Sequence, residues 1–143
     1  MIRSELVRTV EGIPAPKGSL RCSRTPAHAL YEDNPKTKPW RKKVSAAFEG
    51  AEAADPNQPL DVEITFTFDR PKTTRRELPA VKPDVDKLVR TILDALEDAG
   101  VLTNDSQVVD LTARKRYADP TLTTHPFNDA LPYPGVRIRI NPT

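Results

Sequence analysis

The stretch "KPDVDKLVRTILDALEDAG", residues 82 to 100, constrains the fold more than any other part of this chain. Val85, Leu88, Val89, Ile92, Leu93 and Leu96 recur at helical spacing and trace one apolar stripe, so a helix over residues 84 to 98 is expected to bury that face. Pro83 biases Lys82 to extended backbone, which starts the helix at Asp84 as N-cap, and Gly100 stands where a C-terminal cap belongs. A one-faced helix needs a second layer. The run "DVEITFTF", residues 61 to 68, supplies it, because Val62, Ile64, Phe66 and Phe68 alternate with polar residues as in a half-buried strand. "QVVDLTARKRY", residues 107 to 117, reads as a strand with Val109, Leu111 and Ala113 on one face, and "GVRIRIN" alternates Val136, Ile138 and Ile140 with Arg137 and Arg139.

Weaker signals fill the first third. "ELVRTVEG", residues 5 to 12, offers a short strand that "GIPAPKGSLRCSR" could continue as a proline-broken edge. From Pro39 through about Ala54, Trp40, Val44, Ala47 and Phe48 fall at helical spacing, giving a helix with Arg41, Lys42 and Lys43 on its exposed side. The order strands, helix, strand, helix, strand, strand argues for an α+β fold, with two main helices packed on a small mixed β-sheet. A length of 143 residues suits a single domain over 1–143 with one core. The 15 prolines cluster in segments such as "IPAPKG" and "HPFNDALPYPG" between the periodic runs, as loop punctuation.

Charge is unevenly spread. Residues 1 to 47 carry ten basic and four acidic side chains, and residues 48 to 143 carry twelve and sixteen. That asymmetry fits one region meeting phosphate and another holding metal, and a solvated surface accounts for it equally well. A single cysteine, Cys22, excludes an internal disulfide, and with only two histidines, His28 and His125, it argues against a zinc site. No apolar run reaches the roughly 18 residues of a spanning helix, and "MIRSELVRTV" lacks the apolar stretch of a signal peptide. A soluble protein of the reducing cytoplasm, without membrane contact, is expected.

Two aspartates at the start of the helix raise a chemical question. Asp is a favoured N-cap, and an acid in the first turn gains about 0.3–1 kcal/mol from the helix dipole, so capping accounts for either Asp84 or Asp86 alone. Asp105, in the "TNDSQ" turn, adds a third carboxylate. Three aspartates offer the hard oxygens that Mg²⁺ prefers, and a divalent cation relieves the repulsion between them. Such a site suits phosphodiester hydrolysis, with Arg90 or Lys87 stabilising transition-state charge. A 14-residue helix is about 21 Å long, and residues 99 to 105 reach roughly 23 Å when extended, so gathering all three in one chain is tight. An antiparallel dimer, sharing Asp105 across subunits, is the alternative.

The segment "KPDVDKLVRTILDALEDAGVLTNDSQVVDLTARKRY", residues 82 to 117, resembles the signature of the RusA-like Holliday-junction resolvases: K-P-D-x-D, a helix with D-A-L, an acidic turn, then Q-V-V before a basic strand. "IPAPKGSLR" is similar to the family's first hairpin, and "YEDNPKTKPWRKKV" occupies the place of its first helix. The resemblance implies a RusA-like fold and a homodimeric, Mg²⁺-dependent endodeoxyribonuclease, with Mn²⁺ as a substitute metal, that resolves four-way or branched DNA by paired nicking in recombination and repair. It implies Asp84, Asp86 and Asp105 as metal-binding catalytic carboxylates. Two positions depart from the pattern: Lys87 stands where the family usually has Asn, and Arg90 where it usually has a functional lysine. Arginine keeps the charge but donates a proton poorly. Residues 118 to 135 also form a longer connection than usual.

A junction-binding role would occupy Lys17, Arg21, Arg24, Arg41, Lys42, Lys43, Arg75, Arg76, Lys82, Arg114, Lys115 and Arg116 with phosphates. At 6% aromatic residues there is little for base stacking, which favours duplex arms over single strands. The competing reading is a non-catalytic branched-DNA-binding protein whose aspartates only cap a helix. A haloacid-dehalogenase-like phosphatase wants its D-x-D at the end of an apolar strand, and "ELPAVKPDVD" is not one.

Overall fold

The computed structural model describes residues 1–18, 20–22, 30–32, 34–119 and 129–143, with side chains at all of these except 20–22 and 30–32. Arg24, His28, His125 and residues 120–128, half of the long 118–135 connection, lie outside the described residues, as do the side chains of Arg21 and Cys22.

Four strands make the main sheet: β1 (Leu6–Glu11), β4 (Leu60–Phe68), β5 (Val108–Tyr117) and β6 (Gly135–Pro142). Their order is β1-β6-β4-β5, with β4 and β5 parallel and the other pairs antiparallel, so the sheet is mixed as expected. The parallel pair follows from the connection, because α2 (Val85–Asp98) carries the chain from β4 back to the start of β5. The proline-rich segment does not extend β1. Instead β2 (Leu20–Cys22) and β3 (Leu30–Glu32) form a separate two-stranded hairpin. Residues 13 to 18 run between the helices, where Pro16 O accepts from Thr37 Oγ1 at 2.6 Å and Lys17 N–H donates to Lys87 O at 3.0 Å.

α1 (Thr37–Ala47) starts earlier and stops sooner than the 39–54 expected from spacing. Its last turn tightens, with Phe48 N–H on Ser45 O and Glu49 N–H on Ala46 O, and Gly50 then takes φ +78°, which ends the helix. Trp40, Val44 and Phe48 are buried as the spacing requires.

α2 matches its sequence signals closely. Asp84 is its N-cap, and Gly100, at φ +76°, closes the C-terminus: Gly100 N–H reaches Glu97 O and Val101 N–H reaches Leu96 O, both at 3.0 Å. That is a Schellman arrangement, with Val101 and Leu96 both buried. Leu88, Ile92, Ala95 and Leu96 bury the stripe on the sheet face carrying Val62, Ile64, Phe66, Val136, Ile138 and Ile140. Truncating one of these leucines to alanine would cost about 2–5 kcal/mol.

Two details differ from a one-sided sheet. Thr65 and Thr67, on the opposite face of β4, are buried too, and at Thr67 the crossing chain is seen directly, with Leu131 N–H donating to Thr67 Oγ1 at 3.1 Å. Val109 and Leu111, in contrast, are 59% and 47% exposed, because β5 is an edge strand and nothing among the described residues covers its start. No helix among the described residues is long and apolar enough to cross a membrane.

Candidate active site

The start of α2 sits at the end of the sheet where β5 finishes. Lys82–Pro83 is a cis peptide, Asp84 is extended (φ −70°, ψ 138°), and Asp86 lies in the first helical turn. Although Asp84 occupies the N-cap position, its side chain makes no capping hydrogen bond. Asp84 and Asp86 are both exposed, and neither carboxylate accepts a hydrogen bond among the described residues. Capping therefore does not account for Asp84. Both carboxylates line an open pocket of about 470 Å³ with Val81, Lys82, Val85 and Lys115. Asp84 also borders an adjoining pocket of about 350 Å³ with Pro16, Asn34, Lys82, Pro83 and Lys87.

Cations surround this spot. Lys82 and Lys87 line its pockets, and Arg90 is exposed one turn further along α2. Lys115 comes from β5: its Nζ donates to the main-chain oxygens of Val81 and Pro83, the latter at 2.7 Å. Partial burial pushes the Lys115 ammonium below its usual range, and the nearby Asp84 charge pulls it back up.

Asp105 is elsewhere. It begins a 3-10 turn, Asp105–Gln107, that Asn104 caps, and its N–H donates to Glu97 Oε1 at 2.7 Å, near the C-terminal end of α2. Gln107 is buried and anchors the turn, donating to Asp55 O at 2.7 Å and accepting from Thr103 N–H at 2.8 Å. Asp84 and Asp105 are thus separated by nearly the length of a 14-residue helix, roughly 20 Å. No group of three or more ligating side chains comes together among the described residues. The in-chain cluster of three aspartates is not formed, because the chain after Gly100 turns into β5 at the far end of α2 and does not double back along it.

The donor set at Asp84 and Asp86 fits a hard cation on its own terms. Mg²⁺ is commonly held by one or two carboxylates with several waters, and two uncommitted carboxylates in an open pocket meet that requirement.

The basic residues divide into two groups. Arg41, expected on the exposed side of α1, grips Asp98 with Nε and Nη2 at 2.6 and 2.8 Å, and Lys17 pairs with Asp94 at 3.2 Å. Arg114 pairs with Glu63 at 2.7 Å, and Arg116 with Asp129 at 2.7 Å. Lys42, Lys43, Arg75, Arg76, Lys82, Lys87 and Arg90 are exposed, with no side-chain hydrogen bond or ion pair among the described residues. The alternation in "GVRIRIN" also places Arg137 and Arg139 on the sheet face away from the helices, a basic contribution that sequence reading treated only as strand patterning.

The family model of the endodeoxyribonuclease RusA matches residues 11–124, which takes in both helices, the K-P-D-x-D segment and β5. The chain belongs to the RusA endodeoxyribonuclease family. Its match spans most of the sequence, and membership makes it a nuclease of the Holliday-junction resolvase kind, in a family that acts on branched DNA. No curated protein matches the chain. The α+β architecture agrees with that family.

Proposed function

We propose that this chain, as a single domain over residues 1–143, is a Mg²⁺-dependent structure-selective endodeoxyribonuclease that resolves four-way DNA junctions by paired nicking, in the cytoplasm, in recombination and repair. The observation that carries the reading is the pair of uncommitted carboxylates, Asp84 and Asp86, in one pocket at the start of α2. A capping role would have engaged the Asp84 side chain, and it is not engaged. In this reading Asp84 and Asp86 would hold the metal, and the chemistry a bound cation would supply there is water activation and charge stabilisation at the attacked phosphate. Lys87 borders Asp84 and offers charge stabilisation to the scissile phosphate, with Arg90 one turn behind. Exposed Lys42, Lys43, Arg75, Arg76 and Lys82 are the phosphate contacts this surface leaves free. Arg21 and Arg24 remain proposed phosphate contacts.

Asp105 enters the site from a second copy. β5 has a free edge among the described residues, its exposed Val109 and Leu111 lie near its start, and its end carries Lys115 beside Asp84. Antiparallel pairing of β5 with its twin, centred between Leu111 and Thr112, sets residue 108 of one copy opposite residue 115 of the other. The partner subunit's Asp105 would then stand at the Asp84 and Asp86 pocket. A homodimer with two such sites has the symmetry of a paired cut. Cleavage of a four-way junction with Mg²⁺, compared with EDTA and with Asp86→Asn, tests the function directly.

A further inference from the structure

By strand register, Lys115 lies in the row Val136, Phe66, Lys115 on the helix-facing side of the sheet, where its neighbours are fully buried apolar residues. A lysine there is out of keeping with that apolar row. Its ammonium has three N–H donors. Two go to the main-chain oxygens of Val81 and Pro83, and the side chain lines the pocket of Asp84 and Asp86.

The segment it holds has few other polar ties. Residues 79 to 83 make one main-chain hydrogen bond among the described residues, Ala80 N–H to Leu78 O at 2.8 Å, and it is local. Among the described residues, the two bonds from Lys115 are the hydrogen bonds that tie this segment to the sheet. Pro83 directly precedes Asp84, so the position of its carbonyl sets the position of the Asp84 backbone.

We propose that Lys115 is a positioning residue of the nuclease site, holding the Val81 to Pro83 backbone so that the Asp84 and Asp86 carboxylates share one metal. From sequence alone Lys115 is an expected phosphate contact. The proposal rests on the nuclease reading above. Ligating groups must be held to within about 0.5 Å to work, and residues behind metal ligands commonly change metal affinity or activity about 10- to 100-fold when removed.

The test compares wild type, Asp86→Asn, Lys115→Met and Lys115→Arg, all as the full chain. Methionine suits the apolar row, and arginine keeps the charge while placing its donors differently. Wild type must cut a four-way junction and D86N must not; if wild type does not cut, the nuclease reading fails and the positioning role falls with it. Given cutting, both Lys115 variants should lose about 10- to 100-fold in kcat and need more Mg²⁺ for half-maximal rate, with junction affinity in EDTA unchanged. Metal-free hydrogen exchange should quicken across residues 80 to 88 in K115M. If K115M instead keeps kcat and Mg²⁺ demand while binding weakens and the salt slope falls by about one, Lys115 is a phosphate contact and positioning is wrong. Should K115M fail to fold, K115R decides alone: wild-type kcat and Mg²⁺ demand there overturn the proposal.

Discussion

Asp84 and Asp105 stand at opposite ends of α2, one at its N-cap and the other bonded through its N–H to Glu97 near the last turn. A separation of roughly 20 Å excludes a shared metal within one chain. Complementation follows from this. D86N and D105N proteins should each be inactive alone. Mixed after subunit exchange, half the dimers are hybrids with one intact site of two, so about a quarter of wild-type sites should return and should give single nicks. Absence of any recovery in mixed samples, with exchange verified by mass, counts against sites built from both subunits.

Asp84→Asn should separate stability from catalysis. Its side chain makes no capping bond, so the substitution should leave unfolding free energy within about 0.5 kcal/mol of wild type while removing cleavage. A cap would instead show a loss of about 1 kcal/mol on substitution by alanine. Chemical denaturation of D84N and D84A reads the difference.

Arg41 and Asp98 join α1 to α2 across the molecule's surface. The hydrogen bond from Arg41 is the main influence holding the Asp98 carboxyl below its ordinary value of 3.8, with burial opposing it and the Arg41 charge reinforcing it. Because the folded-state value is depressed, the pair's contribution is complete at neutral pH and fades as pH falls below about 3.8 through the folded value. The Asp98 side chain is 41% exposed, so solvent screening keeps the coupling to about 0.2–1 kcal/mol. A double-mutant cycle of Arg41→Ala and Asp98→Ala, followed from pH 7 downward, should find that coupling intact at pH 7 and shrinking only once the pH drops below 3.8.

Salt dependence sorts the basic residues. Lys42→Ala with Lys43→Ala should lower the slope of log affinity against log salt by about one for each phosphate contact removed. Lys17→Ala should change the slope little, because Lys17 is already paired with Asp94. Equal slopes for all three substitutions' effects would mean that the ion pair yields to DNA.

The sequence revealed α2 almost to the residue, because its limits rest on local chemistry: Pro83, Asp84 and the Gly100 cap act within a few residues of the helix ends. β4 and β6 were legible for the same reason, since alternation is a local signal. The errors were tertiary. Spacing could not show that Gly50 would stop α1, that the chain at Leu131 would pack on Thr67, or that Val109 and Leu111 would stay exposed at a sheet edge. Asp84 and Asp86 were readable as a pair because they share a helix start, whereas Lys115 joins them only through the parallel return of β5.

Cleavage of a labelled four-way junction beside a matched linear duplex, with Mg²⁺, with EDTA and with Asp86→Asn, tests the central claim most directly. Paired nicks in the junction alone, abolished by EDTA and by D86N, are the predicted result. Junction binding in every condition with cutting in none would contradict it, leaving a DNA-binding protein of this fold without nuclease activity.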